Sequence, residues 1–124
     1  MKRLLAASIL FIIITGSYLC GFFYINSTCD RAKELLKNCE EEYYINGNAE
    51  KSTKELTEYW QKKEKILSIF ANHNEIDEIE LTISTLKLYS KTENKDYFFE
   101  YCDTVNILIH QLMEDTVPNI HSIL

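Results

Sequence analysis

Proline occurs once in these 124 residues and glycine three times. A many-turned β fold needs more backbone punctuation than that, so the shortage predicts long helices. The glycines also exclude a phosphate-cradling loop, because Gly16 and Gly21 fall in an apolar run and only Gly47 lies in polar sequence. Two histidines in H-E-x-x-H, a twelve-residue calcium loop and a Ser or Cys nucleophile in a known setting are all missing. The four cysteines form no C-x-x-C pair and no zinc spacing. Residues 1–25 contain no acid.

What stands in place of acid there is Leu4 to Ile25, 22 residues without a charge. As a helix rising ~1.5 Å per residue the stretch covers ~33 Å, against ~30 Å for the hydrocarbon core of a bilayer. The apolar part is too long for a signal peptide, and no A-x-A site follows it, so we expect an uncleaved anchor. Lys2 and Arg3 precede the run, which by the positive-inside rule predicts a cytoplasmic start and an extracytoplasmic domain at the cell membrane. The chain divides into a start and anchor over 1–25 and a helical domain over 26–124.

That domain holds eleven Lys and Arg against nineteen Asp and Glu, a net of −8. So acidic a surface repels nucleic acid and anionic lipid headgroups, and there is no juxtamembrane cluster of basic residues of the lipid-binding kind. Eight Tyr, six Phe and one Trp argue against disorder. Cys29, Cys39 and Cys102 lie in the domain; Cys102 could pair with either of the others outside the cell, but small thiols on helix faces are the expectation.

Helical spacing follows the anchor. Ala32, Leu35, Leu36, Cys39 and Tyr43 share one face, so the first helix is free to continue out of the membrane until Asn46-Gly47-Asn48. Asn26-Ser27-Thr28 fits the N-glycosylation pattern but lies too near the anchor to serve as an acceptor. A second helix is expected from about Glu50 to Ala71, with Leu56, Tyr59, Trp60, Lys63, Leu67 and Phe70 on its periodic stripe and Trp60 as a core anchor. Asn72 or Asn74 caps a third, with Glu75, Asp77 and Glu78 in its first turn and Ile76, Ile79, Ile83 and Leu86 facing inward. The fourth runs from about Asp96 to Glu114, burying Tyr97, Phe98, Tyr101, Val105, Leu108 and Leu112, and Pro118 stops it. Residues 119–124 end in apolar side chains that could dock on the domain. The fold class is therefore all-α: a single transmembrane helix followed by a small antiparallel bundle of three to four helices.

His73 with Asp77 and His110 with Glu114 stand at i, i+4, which offers two ligands where zinc needs three or four. The carboxylate runs lie along single helices with nothing to push their pKa values apart. We therefore expect no enzyme, no metal and no cofactor. The residues expected to meet a partner are His73, Glu75, Asp77 and Glu78 at the polar corner, with Tyr97 and Phe99 from the surplus of aromatics. The partners are lipid through residues 4–25, a protein or a second copy of the chain, and no nucleic acid. The alternative is a sensory or ligand-binding module with a pocket between helices.

Trp60-x3-Glu64-x2-Leu67-Ser68-x-Phe70, the run from His73 through Asp77 to Glu80, and Leu86-Lys87-x-Tyr89 together resemble the DUF4363 family, small proteins with an N-terminal membrane segment. The resemblance implies the anchor and a helical domain. It carries no activity and assigns no residue a catalytic role. The chain departs from the family pattern at Thr85 and at Ser122-Ile123-Leu124.

Overall fold

The structure, a computed structural model, describes residues 1–116. Pro118 and the apolar tail, expected to stop the last helix and to dock, lie outside the described residues.

Four helices and no strand occur among the described residues: α1 (Lys2–Asn46), α2 (Glu50–Phe70), α3 (His73–Tyr89) and α4 (Lys95–Thr116). Gly47 ends α1 at φ 76°, a left-handed cap, and its N–H donates to the Tyr43 carbonyl at 2.8 Å. Asn72 caps α3, its side-chain oxygen accepting the Asn74 N–H at 2.9 Å. Each connector is short, so successive helices run antiparallel. α1 packs on α2, α2 on α3, α3 on α4 and α4 back on α1.

The buried positions alternate in steps of three and four. On α3 they are Ile76, Ile79, Ile83 and Leu86, and on α4 Phe98, Cys102, Val105, Ile109 and Leu112. That spacing is the seam of left-handed helix packing, and it closes the four helices around one core. Burial follows the expected stripes at most positions, and Trp60 is 1% exposed. Two residues differ. Tyr97, expected inside, is 49% exposed, because the core register on α4 passes through Phe98 and Cys102. Phe70 is 41% exposed because α2 ends there, beyond the last full layer of the core.

α1 has two unlike halves. Residues 1–20 are exposed throughout, while Gly21, Ile25, Thr28, Cys29, Ala32, Leu35, Leu36, Cys39 and Tyr43 are buried in the bundle. The bundle thus begins inside the charge-free run, four residues before its last member. Gly21 allows this: a Cβ there would fall 2.4 Å from Cδ1 of Phe70. Gly21, the α2–α3 turn and the end of α4 lie at one end of the bundle, the near end, from which the bare half of α1 projects.

Candidate functional site

The far end is built by the α1–α2 turn and the α3–α4 connector. Ala49 N–H donates to the Ser90 carbonyl at 3.0 Å, and Thr53 Oγ1 lies 3.2 Å from Ser90 Oγ. Tyr43 Oη donates to the Thr92 carbonyl at 2.9 Å, and its ring stacks on Phe98 with centroids 4.2 Å apart. Phe99 meets the Tyr43 ring edge-on at 5.6 Å. Buried polar groups with partners and stacked rings hold this end in one geometry.

Three open grooves surround that frame. The most apolar, ~310 Å³, lies between α1 and α4 and is lined by Glu40, Glu41, Tyr44, Ile45 and Phe99. Tyr44 and Ile45 are each 77% exposed there. Burial, and then the charge of Asp103, raise the Glu40 carboxyl above its ordinary value. An adjoining groove of ~320 Å³ is lined by Tyr43, Tyr44, Gly47, Glu93 and Lys95, with Lys95 Nζ 5.9 Å from the Tyr44 ring centroid. The third, ~590 Å³, collects Lys51, Lys54, Lys87 and Lys91 with Glu42, Asn48 and Glu50. None of these four lysines forms an ion pair among the described residues.

The six residues expected to meet a partner do not form one site. His73, Glu75, Asp77 and Glu78 begin α3 at the near end, whereas Tyr97 and Phe99 begin α4 at the far end. Asp115, beside Glu75, is 18 residues along α4 from Tyr97, or ~27 Å at helical rise. His73 is exposed, with Nε2 3.3 Å from Asp77 Oδ2 and Nδ1 3.4 Å from Ser68 Oγ, which makes it a surface pair at a helix start. Tyr97 stacks on Tyr89 at 5.6 Å. His110 and Glu114 pair at 3.0 Å on the outside of α4. No group of three or more His, Cys, Asp or Glu among the described residues is arranged to hold a metal ion.

Two carboxylate pairs bridge helices toward the near end. Glu75 of α3 meets Asp115 of α4; that hydrogen bond, burial and the charges of Asp115 and Glu78 push the Glu75 carboxyl up to about 7. Glu64 of α2 is raised by burial and by Glu80 of α3. Oε2 of both Glu64 and Glu75 is closed to solvent and meets no donor, so each carboxylate is buried at a cost that favours its neutral form. The expectation that carboxylates along single helices have nothing to push their pKa values apart fails for these pairs. Only the pairing of α3 with its two neighbours brings them together.

Burial lifts the Cys29 and Cys39 thiols to about 12 and the Cys102 thiol further. All four cysteines are free, and Cys20 alone is exposed. The three domain thiols are core residues without nucleophilic character.

The fold and the grooves define a class: an all-α bundle of four helices whose first helix extends as a bare apolar rod. Within that class, the chain belongs to the DUF4363 family, a domain of unknown function whose model matches residues 19–123. The match begins near the foot of the bundle and takes in α2, α3, α4 and the part of α1 from residue 19 on. No curated protein and no solved structure is similar enough to the chain to count as a match.

Proposed function

We propose that the protein is a non-enzymatic interaction module tethered to the cell membrane, which presents the far end of its bundle to a protein partner. The observation that carries the reading is the contrast along α1. Its first 20 residues expose Leu4, Phe11, Ile12 and their neighbours to the surroundings, and the same helix then runs unbroken through the core. Exposing so much apolar surface to water is unfavourable by ~25 cal/mol per Å², and a bilayer removes that cost. A rigid continuation into the bundle fixes the far end at a set height above the membrane. Lys2 and Arg3 favour a cytoplasmic amino-terminal side, with the bundle outside.

The partner surface is the α1–α4 groove. Tyr44, Ile45 and Phe99 supply apolar contact, and Glu40 and Glu41 supply negative charge. This chemistry fits an apolar segment that carries a Lys or Arg, which would also relieve the repulsion between Glu40 and Asp103. A photo-crosslinking residue at Tyr44 in native membranes tests the reading. A defined heterologous adduct that is lost in Ile45→Asp supports it, an adduct to a second copy makes the groove a self-association face, and no adduct counts against it. Protease digestion of intact cells reports the topology.

A second reading is favoured by the lysine-lined groove. Four lysines without an ion pair among the described residues, around ~590 Å³ of space, suit a small anionic ligand, in keeping with a sensory module. Isothermal titration of inorganic phosphate and citrate against the chain and against Lys54→Glu/Lys87→Glu separates this from the partner reading.

A further inference from the structure

The bare half of α1 is short for the role proposed for it. Leu4 to Cys20, the exposed part that no other described helix buries, spans 17 residues and ~25 Å, against ~30 Å of hydrocarbon. Counted from Leu4, the remaining distance is reached only near residues 23–24. By then the helix is already inside the bundle, since Gly21 is buried under Phe70. Tilt lengthens the path and moves the boundary further into the bundle.

The near end is dressed for that depth. Ile66 is 44% exposed, Ile69 74% and Phe70 41% on the last turns of α2, and Phe23 is 66% exposed on α1. Large exposed apolar side chains at the exit of an apolar rod extend its apolar surface onto the bundle. About a turn above Ile66 and Ile69, α2 carries exposed Lys62 and Lys65, with Lys63 Nζ 5.6 Å from the Tyr24 ring centroid and 5.8 Å from that of Tyr59. Lysine stems and tyrosine rings at this level are the groups that sit among phosphates and carbonyls at a bilayer surface. Asn72 and His73 share the end and are exposed, so it suits the interface and not the hydrocarbon centre. The α3 and α4 sides are acidic, with Asp77, Glu78 and Glu114, so α2 is the side that fits a phosphate layer.

We infer that the α2–α3 corner is a second membrane contact: a foot formed by Ile66, Ile69, Phe70 and Phe23 that enters the lipid interface, with Lys62 and Lys65 against the headgroup phosphates. The occupant is lipid, because the foot continues the surface of the rod and lies at the height where the rod alone falls short. The inference rests on reading the bare stretch as a membrane span. It adds that the bundle is seated on the bilayer, with α2 toward the lipid and the far end turned outward. In sequence Lys63 lies 38 residues beyond Ile25, and the fold returns it to Tyr24 of the anchor.

The test uses the full chain with Cys20→Ser, leaving the buried thiols in place, and single cysteines introduced as Ile9→Cys, Ile45→Cys or Ile69→Cys. Each is spin-labelled and reconstituted in vesicles of phosphatidylcholine with phosphatidylglycerol. Power saturation then compares access to oxygen, which favours lipid, with access to a water-soluble nickel chelate. A label at 69 several-fold more oxygen-accessible, relative to nickel, than one at 45 supports the foot. A label at 69 that matches 45, while 9 stays in lipid, overturns the foot and leaves the span intact. A label at 9 in water overturns the span itself. Lys62→Glu/Lys65→Glu should move the 69 label toward water, and an unchanged depth would remove the lysines from the contact.

Discussion

The Phe70 ring lies across Gly21, with Cδ1 2.4 Å and Cγ 2.8 Å from where a Cβ would stand. This contact sets where the bundle begins on α1. Cγ is fixed close to the Phe70 backbone, so the ring cannot yield by swinging its far edge alone. Gly21→Ala should therefore destabilise the bundle by ~1–3 kcal/mol, as overpacking does elsewhere. Thermal unfolding in detergent checks it. Phe70→Ala in the same chain should recover part of the loss, and a double-mutant cycle that shows no coupling would contradict the contact.

Glu75 yields a pH dependence. Its folded-state value of about 7 is above the ordinary 4.5, so between these pH values the folded chain binds more protons than the unfolded one. Stability then falls as pH rises from about 4.5 through 7, and is greatest below that window as far as this group is concerned. Glu75 is only partly buried, and screening limits the effect to ~1 kcal/mol. Glu75→Gln should flatten the slope and raise the melting temperature at pH 8. Denaturant titrations at pH 5 and pH 8 decide it.

Phe98 is fully buried, stacked on Tyr43 and edge-on to Phe99 at 5.5 Å. Phe98→Ala should cost ~3–5 kcal/mol and loosen the far end. Tyr43→Phe, which loses only the bond to Thr92, should cost ~0.5–1.5 kcal/mol. Circular dichroism melts of both variants give the comparison.

Thiol chemistry separates the cysteines. In the folded chain at neutral pH, Cys29, Cys39 and Cys102 should resist maleimide, because burial keeps them protonated and covered. In denaturant all four should react. Counting labels by intact mass under both conditions checks this, and a rapidly modified domain cysteine in the native state would contradict the packing.

Much of the fold could be read from periodicity. The steps of three and four that put Ile76, Ile79, Ile83 and Leu86 on one face depend only on helical geometry, and so do the breaks at Gly47 and Asn72. The site was less legible. Glu75, Tyr97 and Phe99 were noticed as residue types, but a single sequence holds no statement of which end of which helix faces which. The lysines of the third groove, 33–40 residues apart and drawn from α2, α3 and the α3–α4 connector, gave no local signal. Nor did the pairing of Glu64 with Glu80.

By itself the sequence determined that the chain is helical, that its first helix carries a charge-free run, and which face of each helix is apolar. These follow from side-chain spacing and the chemistry of single residues, which are local. The tertiary structure alone decided that the bundle begins at Gly21, that Phe70 and Lys63 return to the foot of the rod, and that Glu75 meets Asp115. Those placements come from the register of one helix against another, which depends on how large side chains fill the gaps left by small ones across the core.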